Sequence, residues 1–247
     1  MPSRTLRVLH TSDCHLDGDM PHRDERHLTS KHFAAFRGIV DKTIELDVDL
    51  LVIAGDFFDS NRASRVSTDF ALSELARARC QVIIGPGNHD SVDAGSVYHR
   101  VDFGLAGQHV HVLRETLGQE LILPDIQVRI WGRAGTEVDP SYRPLQGLPL
   151  REGDYWHIAV AHGHFMEEAR WDDHWAPISE DDLRFADWDY LALGHWDHFV
   201  DVTRGPMRAV YSGSAVAARD ASVGTCAYII LEPGADPNIQ TLALHES

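Results

Sequence analysis

Short apolar runs recur along the chain, and each of them ends at glycine, aspartate, asparagine or histidine. They read LRVLHTSDCH, DLLVIAGD, CQVIIGPGNHD, HIAVAHGH and YLALGH. Runs of this length that are rich in aliphatic residues and bounded by turn formers predict buried β-strands. The chain is therefore constrained to a fold with several buried strands whose ends carry polar side chains.

Helical spacing is found between the first three of these strands. KHFAAFRGIVDKTIEL carries Phe33, Phe36 and Val40, and VSTDFALSELARAR carries Phe70 and Leu75. Strand alternating with helix predicts parallel crossovers and an α/β fold. From HVHVL onward the pattern changes, and few helical patterns are found. HVHVL and the later segments DIQVRIWGR, AVYSGS, TCAYIILE and IQTLAL are strand-like, which predicts a second, partly antiparallel sheet packed on the first.

Length and composition narrow the class of protein. The 247-residue chain can bury a sizeable core, and we predict a single domain over residues 1–247. It has neither a signal pattern nor an apolar run of the roughly 18 residues that a membrane span needs, so no membrane association is expected. Cys14, Cys80 and Cys226 form no CxxC pair, which favours the cytoplasm. The formal net charge of -16 opposes binding to polyanions, so a bound phosphate is expected to meet metal ions.

Polar residues cluster at the predicted strand ends. In chain order they are Asp13, His15, Asp56, Asp59, Asn88, His89, Asp90, His162, His164, His195, Asp197 and His198. Taken singly, each motif has a structural explanation, such as a turn after a strand or a histidine packed in the core. Together they place five polar strand ends at one edge of a sheet, and a cation makes such crowding of carboxylates favourable.

The types of donor indicate which ions would bind. The candidate donors are oxygen and imidazole nitrogen, with no thiolate. Such donors suit manganese, iron, magnesium or zinc, and they do not fit a structural zinc site. Seven or eight ligands are too many for one ion and fit two ions that share a carboxylate. Two ions roughly 3.5–4 Å apart can clamp a phosphoryl group and activate water. Phosphate ester hydrolysis is therefore the predicted chemistry.

These motifs resemble the five signatures of the calcineurin-like metallophosphoesterases. They appear in the family's order over residues 8–214 as DCH, GDFFD, GNHD, the histidine of AHGH, and GHWD. HTSDCHLD, LLVIAGDFFDS, VIIGPGNHDS and DYLALGHW look most like the SbcD-type DNA repair exonucleases. The resemblance implies an α/β fold in the form of a four-layer αββα sandwich, with two mixed sheets flanked by helices. It also implies two divalent ions, usually manganese in that branch.

The resemblance also assigns roles by position. Asp13 and His15 would bind the first ion, Asp56 would bridge, and Asn88, His162 and His195 would bind the second. His89 matches the family histidine that protonates the leaving oxygen, and Asp90 would orient it. Asp59 would lie behind the ligands or beside the substrate. His164 could also face the site, because residues two apart on a strand share a face, but His162 is preferred as the ligand because the apolar run ends there. His164 would then lie beside the substrate or behind the ligands, as Asp59 would.

The GHWD segment departs from the family pattern, which has histidine where this chain has Asp197. On an extended backbone Asp197 would share a face with His195, whereas His198 would need a bulge to reach the ions. We therefore predict Asp197 as the last ligand of the first ion, with His198 as its alternate. A third possibility is that the first ion lacks this ligand and binds weakly.

Residues outside the motifs have less decided roles. His22, His27 and His32, with Arg23 and Arg26, could overhang the ions and touch phosphate, or could form a solvated surface. Trp171, Trp175 and Trp196 could stack a nucleobase, although packing of a long loop is favoured. The segment from Tyr211 to Ser214 resembles a loop that shapes the site in the nuclease branch, and could instead be a simple turn.

The predicted function is a dimetal phosphoesterase that favours phosphodiesters. SbcD-type subunits carry a C-terminal capping domain and a segment that docks on an ATPase. Neither pattern is found in this sequence, so the sequence gives no evidence for an ATPase partner. Together with the charge of -16, this favours nucleotides or short single-stranded nucleic acid over duplex DNA. The alternatives are a phosphomonoesterase for a small metabolite or phosphoprotein, and a protein-binding scaffold without activity.

Overall fold

The computed structural model describes residues 2–19, 30–136, 139–167, 175–217 and 223–244. In chain order its strands are β1 (Leu6–Thr11), β2 (Leu50–Ala54), β3 (Gln81–Gly85), β4 (Val110–Val112), β5 (Gln119–Leu123), β6 (Val128–Gly132), β7 (Trp156–His162), β8 (His164–Met166), β9 (Pro177–Ser179), β10 (Tyr190–Gly194), β11 (Phe199–Asp201), β12 (Arg208–Ser212), β13 (Gly224–Leu231) and β14 (Asn238–Leu244). The helices are α1 (Lys31–Glu45), α2 (Arg65–Arg77), α3 (Val97–Arg100) and α4 (Glu180–Arg184). Short 3-10 turns lie at Phe103–Ala106 and Pro124–Ile126.

The strands form two six-stranded sheets, and both are mixed. The first has the order β14-β13-β1-β2-β3-β4, in which β1 to β4 are parallel and β13 and β14 antiparallel. The second has the order β11-β12-β10-β7-β6-β5, in which the four central strands are parallel and both edge strands antiparallel. A two-stranded sheet pairs β8 with β9. The predicted α/β class with two mixed sheets is confirmed.

The two sheets pack face to face through aliphatic side chains. Their shared core includes Val8, Val52 and Ile83 from the first sheet and Ile130, Ile158 and Ala192 from the second, all of them buried. This packing turns both faces of the central strands away from water, which explains why these strands are continuous apolar runs. The carboxyl ends of the central parallel strands therefore meet at one end of the sandwich.

Helices α1 and α2 cover the outer face of the first sheet. The Ser30 side chain caps α1 by accepting a hydrogen bond from the Phe33 N–H, and Ser64 caps α2 in the same way. Both helices bury one face, with Phe36 and Val40 from α1 and Leu75 from α2 in the same cluster as the outer side chains of the sheet. The two predicted helices are found within two residues of their expected ends.

The outer face of the second sheet is covered mainly by shorter elements. Its buried residues Leu191 and Tyr211 cluster with Phe165 of β8, Ile178 of β9 and Leu183 of α4. None of the helices in the part of the chain that the structure describes is long and apolar enough to cross a bilayer.

One expectation about the second sheet was wrong. We assigned the strand-like segments from Val110 onward to it, but β4, β13 and β14 belong to the first sheet. Strand β4 extends the parallel set beside β3, and β13 returns to pair antiparallel with β1 over Leu6 to His10. Apolar periodicity identifies a strand, but the choice of its partner depends on residues that are distant in sequence.

Candidate metal centre

Five strand ends from the two sheets converge at one end of the sandwich. Strands β1, β2 and β3 of the first sheet lead into the DCH, GDFFD and GNHD motifs, and β7 and β10 of the second sheet end at His162 and Gly194. The His162 Nδ1 donates to the Ala54 carbonyl at 2.9 Å, and the His195 N–H donates to the Asp13 carboxylate at 3.0 Å. We expected the polar strand ends to share one sheet, whereas the structure builds the site across two.

Glycines allow the strand ends to approach this closely. A side chain on Gly194 would overlap the Ala54 carbonyl oxygen, and one on Gly55 would overlap the His162 ring. Gly55 also has a φ of 89°, a backbone conformation that residues with a Cβ rarely adopt. The glycines of the GD and GH motifs are therefore needed for the contact between the two sheets.

Several proposed ligands have left-handed backbone conformations. The φ angles are 52° for Asp13, 46° for His15, 49° for Asp56 and 109° for His195. Residues other than glycine adopt such angles at a cost of about 1–3 kcal/mol each, and they persist where the surrounding structure holds them. Strain of this kind at successive strand ends is typical of a functional site.

One group of donor atoms meets around Asn88 and His162, at the carboxyl ends of β3 and β7. The Asn88 Oδ1 lies 3.1 Å from the His162 Nε2 and 3.2 Å from the His195 Nδ1. The His162 Nε2 also lies 3.4 Å from the Asp56 Oδ2. Ligand atoms about 2.1 Å from one ion lie about 3 Å apart when they subtend a right angle at it. Asn88 thus lies within reach of both histidines and Asp56 lies beside His162, but Asp56, His162 and His195 do not all bring ligand atoms within 4.8 Å of one another.

A second group lies on the first-sheet side and is more open. The His15 Nε2 lies 3.9 Å from the Asp13 Oδ1 and 3.8 Å from the Asp56 Oδ2. Among the described residues, two groups bring candidate ligand atoms within 4.8 Å of one another: His15 with Asp56 and His89, and Asp13 with Asp56 and His162. Asp56 belongs to both of these groups, which is the position that a bridging carboxylate would occupy. The groups cut across the ligand sets expected from the motifs, because Asp13 is grouped with His162 and His15 with His89.

The electrostatics of the centre favour a positive charge within it. Burial raises the pKa of Asp13 to about 6. Burial opposes ionisation of Asp56 too, but the charges of His162 and His15 hold the pKa of this carboxyl well below its usual range. Burial lowers the pKa of His162, but the Asp56 charge outweighs it and raises this pKa to about 10. Burial and the neighbouring His162 lower the pKa of His195 to about 4. The carboxylates thus stabilise a cation where the ions are expected.

His89 stands at the open side of the centre. Its Nδ1 donates to the main-chain oxygen of Asp59 at 2.9 Å, so its Nε2 is the nitrogen left to face the centre. Its ring packs edge to face against that of His15, with 4.7 Å between ring centroids. Burial lowers the pKa of His89, but the charges of Asp56 and Asp59 and the bond to the Asp59 carbonyl raise it overall.

Asp90 does not orient His89 in the way that we expected. Its buried carboxylate accepts hydrogen bonds from the Phe58 N–H at 3.0 Å, the Gly87 N–H at 2.7 Å and the Tyr98 hydroxyl at 2.6 Å. It therefore ties the GDFFD segment to the GNHD segment, and the Asp59 carbonyl orients the His89 ring instead. Burial and the nearby Asp56 charge raise the pKa of Asp90 to about 6.

Asp59 lies behind the first-sheet ligands. Its Oδ1 is 3.4 Å from the Nδ1 of His15, on the opposite side of the imidazole from the Nε2 that faces Asp13 and Asp56. No hydrogen bond joins the two groups, because the His15 Nδ1 has no hydrogen-bond partner in the structure. The predicted position of Asp59 behind the ligands agrees with this geometry.

The structure does not bring Asp197 or His198 into either group. Both side chains are exposed. Our assignment of Asp197 assumed an extended backbone, but β10 ends at Gly194, His195 has a φ of 109°, and the next strand begins at Phe199. The two-residue alternation of a strand therefore does not apply here. The Asp197 carbonyl instead accepts a hydrogen bond from the Ser214 N–H at 3.0 Å.

His164 and two of the tryptophans border the centre. The Trp196 Nε1 donates to the His164 Nδ1 at 3.1 Å, and the Trp196 ring is stacked on Tyr211. Trp175 packs against Tyr142 and approaches the His162 ring, with 6.1 Å between centroids. The tryptophans therefore pack against the protein itself, as the favoured interpretation had it.

The remaining predicted residues divide into two sets. His32 donates from Nδ1 to the Cys14 carbonyl at 2.8 Å and so supports the DCH turn. The Ser214 hydroxyl donates to the Asp13 carbonyl at 2.9 Å, which gives the YSGS segment a place at the site. His22, Arg23, Arg26, His27 and Trp171 lie outside the described residues.

Sequence reasoning missed Tyr98 and the structural role of the motif glycines. Nothing in the sequence indicates that Tyr98, eight residues beyond Asp90, donates to its carboxylate. The glycines could have been recognised from the motifs, because GD, GN and GH each place a glycine directly before a proposed ligand.

Comparison with known proteins identifies similar chains. The model of the family described as calcineurin-like phosphoesterase matches residues 6–199. An uncharacterised metallophosphoesterase of Bacillus subtilis, YhaO, is 24% identical over 92% of this chain and 57% of its own. The DNA double-strand break repair protein Mre11 of Methanosarcina mazei is 34% identical over 42% of this chain and 17% of its own. The SbcD component of the nuclease SbcCD of Escherichia coli is 29% identical over 35% of this chain and 22% of its own.

A solved structure supports the fold. TT1561 of Thermus thermophilus superposes over 98% of this chain and all of its own, with a TM-score of 0.63 and 11% identity. The sequence relatives are longer proteins, and this chain spans about half of YhaO and smaller parts of the other two. The family resemblance inferred from the motifs is confirmed, including its likeness to the Mre11 and SbcD branch.

Proposed function

Because the chain belongs to the calcineurin-like phosphoesterase family, we propose that it is a dimetal-dependent hydrolase that prefers phosphodiesters, with nucleotides or short single-stranded nucleic acid as substrates. The observation that carries this proposal is the position of Asp56, whose carboxylate belongs to both groups of candidate ligands. A shared carboxylate between two groups of oxygen and imidazole donors is the arrangement that two-ion phosphoesterases require.

The residues present fit two divalent ions. Asp56, Asn88, His162 and His195 would hold one, and Asp13, His15 and Asp56 would hold the other. The donor set of carboxylate, amide and imidazole favours manganese, with iron, zinc or magnesium as alternatives that the same donors accept. When bound, the ions would supply a Lewis acid for the phosphoryl oxygens and lower the pKa of water.

The residues of the chain perform the proton transfer and hold the geometry. The bond from the His89 Nδ1 to the Asp59 carbonyl directs Nε2 toward the centre. His89 would act as the imidazolium, with Nδ1–H bonded to the Asp59 carbonyl. As the bond between phosphorus and the leaving oxygen breaks, it transfers the Nε2 proton to that oxygen, and the water that adds its oxygen to phosphorus releases the proton that restores the imidazolium. Asp90 holds the two segments that carry Asp56 and His89 in register through the Phe58 and Gly87 amides.

The preference for diesters is supported by the relatives and by charge. Mre11 and the SbcD component of SbcCD carry names of DNA repair and nuclease proteins, although this chain spans only part of each. The formal net charge of -16 would repel a long duplex, because duplex binding normally requires several cationic contacts to phosphate. Short or single-stranded substrates carry fewer charges and would be repelled less.

Two chromogenic substrates test the proposal. With added manganese, bis-p-nitrophenyl phosphate should be hydrolysed with a higher kcat/KM than p-nitrophenyl phosphate, and short single-stranded oligonucleotides faster than duplex. A large preference for the monoester would replace the diesterase proposal with a phosphomonoesterase. Failure to bind metal and to hydrolyse either ester would indicate a non-catalytic scaffold.

Two variants separate ion binding from proton transfer. Asp56→Ala should lose both ions, measured by metal analysis after gel filtration, and with them all activity. His89→Ala should keep both ions and lose about 100- to 10,000-fold in kcat, the range that general acid catalysis contributes. The exposed His99 provides a matched control, and His99→Ala should behave as wild type. Full activity in His89→Ala would show that another group donates the proton.

A further inference from the structure

The side chain of Asn61 joins the loop after β2 (residues 55–64) to the loop after β3 (residues 86–96). Its Nδ2 donates to the Ser91 carbonyl at 2.9 Å, and its Oδ1 accepts from the Val97 N–H at 3.0 Å. A backbone N–H can only donate and a carbonyl oxygen can only accept, so these two partners determine the orientation of the amide. Ser91 and Val97 are both buried, which shields the two bonds from water.

Helix α3 holds the same asparagine from its other side. The Arg100 guanidinium donates from Nη2 to the Asn61 carbonyl at 2.6 Å, and Val97, whose N–H donates to the Asn61 side chain, is the first residue of α3. Tyr98 of the same helix donates to the Asp90 carboxylate. One helical turn therefore supports both loops, the first through Asn61 and the second through Asp90.

The contact between His89 and Asp59 lies between two other bonds that join these loops. Before it, the His89 N–H donates to the Asp56 carboxylate at 2.9 Å. After it comes the bond from Asn61 to Ser91, two residues beyond Asp59 on the first loop and two residues beyond His89 on the second. The first bond fixes the main chain of His89, and the second fixes the path of the main chain that carries the Asp59 carbonyl.

The His89 ring occupies a position where a small displacement matters. It is exposed, and one of its nitrogens lies within 4.8 Å of ligand atoms of both His15 and Asp56. Its Nδ1 donates to the Asp59 carbonyl at 2.9 Å, and this bond sets the direction of the ring. A shift of this carbonyl would turn the ring, and a misplacement of about 1 Å can cost about 100-fold in rate.

We propose that Asn61 is a positioning residue for the proton donor. By tying the two loops together beyond Asp59, it keeps the Asp59 carbonyl against the His89 Nδ1 and so keeps the His89 ring directed at the leaving oxygen. The inference rests on the proposed function and assigns to it a residue whose side-chain partners, Ser91 and Val97, are not proposed ligands. Hydrogen bonds behind a reacting side chain are how proteins hold it within the tolerance that catalysis needs.

The leaving group separates this role from a general structural one. p-Nitrophenolate leaves as a stable anion that needs little help from an acid, whereas the sugar hydroxyl that leaves from the dinucleotide thymidylyl-thymidine needs a proton. In the manganese-loaded protein, Asn61→Ala should lower kcat by about 10- to 100-fold for the dinucleotide and by less than about threefold for bis-p-nitrophenyl phosphate. Equal losses on the two diesters would overturn the proposal, because a general distortion of the site does not depend on the leaving group.

Asn61→Asp keeps the shape of the side chain and removes one bond. Its carboxylate can still accept from the Val97 N–H but cannot donate to the Ser91 carbonyl, so it should show the same loss on the dinucleotide as Asn61→Ala. Wild-type kcat in this variant would overturn the proposal.

Thr203→Ala is the matched control. The partly buried Thr203 hydroxyl likewise accepts from a backbone N–H, that of Ala209 at 3.0 Å. This contact lies at the other end of the second sheet, because β12 begins at Arg208 and runs parallel to β10 toward the centre. Thr203→Ala should therefore lower Tm and leave kcat unchanged on both diesters.

A double-mutant cycle shows whether Asn61 acts through His89. In the His89→Ala background, Asn61→Ala should cause no further loss of kcat on the dinucleotide, because the side chain that it positions is already absent. A loss of the same size in both backgrounds would overturn the proposal. Loss of manganese from Asn61→Ala would also overturn it, because Asn61 would then act by supporting the ions.

The outcomes distinguish this inference from the proposed function. If wild type with manganese hydrolyses neither diester, the proposed hydrolase fails, and crystal structures of wild type and Asn61→Asp then test the positioning role alone. A His89 ring that has lost its bond to the Asp59 carbonyl in Asn61→Asp would support that role. A ring that keeps this bond and its orientation would overturn it.

Discussion

Gly194→Ala should separate the two sheets at the point where the ions are held. Gly194 is the last residue of β10 and is paired in register with His162. A methyl group there would overlap the Ala54 carbonyl oxygen and lie 2.7 Å from the His162 Nδ1. Ordinary contacts of a Cβ begin near 3.4 Å, so the imidazole would have to retreat by about 0.7 Å. Metal–ligand distances tolerate deviations of only about 0.2 Å.

The size of the effect follows from these distances. Overpacking of this kind costs about 1–3 kcal/mol in the free energy of unfolding, which for a chain of this size lowers Tm by about 2–12 °C. Displacing His162 and the Ala54 carbonyl that orients it should weaken manganese binding by about 10- to 100-fold. Calorimetric titration with manganese measures the affinity, and thermal melting in EDTA measures the stability without ions.

Gly38→Ala is the matched control for this substitution. Gly38 lies in the middle of α1, and a Cβ there would meet no atom within 4 Å. Because alanine loses less conformational freedom in a helix, this variant should gain about 0.5–1 kcal/mol in stability and bind manganese normally. A Gly194→Ala protein with the manganese affinity of wild type would refute the argument that close contact between β10 and β2 positions His162.

Three further predictions concern buried titratable groups. First, the pKa of His162 is about 10 in the protein without ions, so manganese must displace a proton when it binds between pH 6 and 9. The manganese affinity should therefore rise about tenfold per pH unit. Calorimetry in two buffers counts the released proton, and an affinity that does not change with pH would contradict this. Second, Tyr98→Phe removes the hydroxyl that donates to Asp90 and should cost about 1–3 kcal/mol in urea unfolding, so unchanged stability would argue against the role of this bond. Third, burial lowers the pKa of His10 from 6.5 to about 3, so below pH 6.5 the unfolded chain binds a proton that the folded chain does not. The free energy of unfolding should therefore fall by about 1.4 kcal/mol per pH unit down to about pH 3. His10→Gln should lack this slope when chemical unfolding is measured at several pH values.

The local elements were predictable because short-range physics determines them. The apolar run of β2 has no polar residue inside it, and the structure buries all five of its side chains. The helix predicted from Phe33, Phe36 and Val40 begins one residue after Ser30, a side chain that caps it. Sheet membership was not predictable in the same way, because β13 reads as an ordinary strand and joins β1 only through pairing across more than 200 residues.

The GHWD segment shows where the periodicity argument fails. Our prediction for Asp197 extended the alternation of β10 beyond its last residue, and the structure ends that strand at Gly194. A change of one φ angle, at His195, redirects every side chain after it. Histidine is one of the residue types enriched at positive φ, but most histidines do not adopt it, so the sequence of the segment does not indicate this change.

The identities of the proposed ligands were predictable from motif spacing, but their assembly depends on the whole fold. Asp13 meets the amide of His195 across 182 residues, and His162 meets the carbonyl of Ala54 across 108. The left-handed angles at Asp13, Asp56 and His195 are maintained only while both sheets are packed, since none of these residues would keep such an angle in an isolated turn. Ion binding at the proposed site would therefore stabilise the contact between the sheets as well as the site itself. Removing the ions should then lower Tm more than any single ligand contact would account for, and the loss should be smaller in Gly194→Ala, in which the contact between the sheets is already weakened.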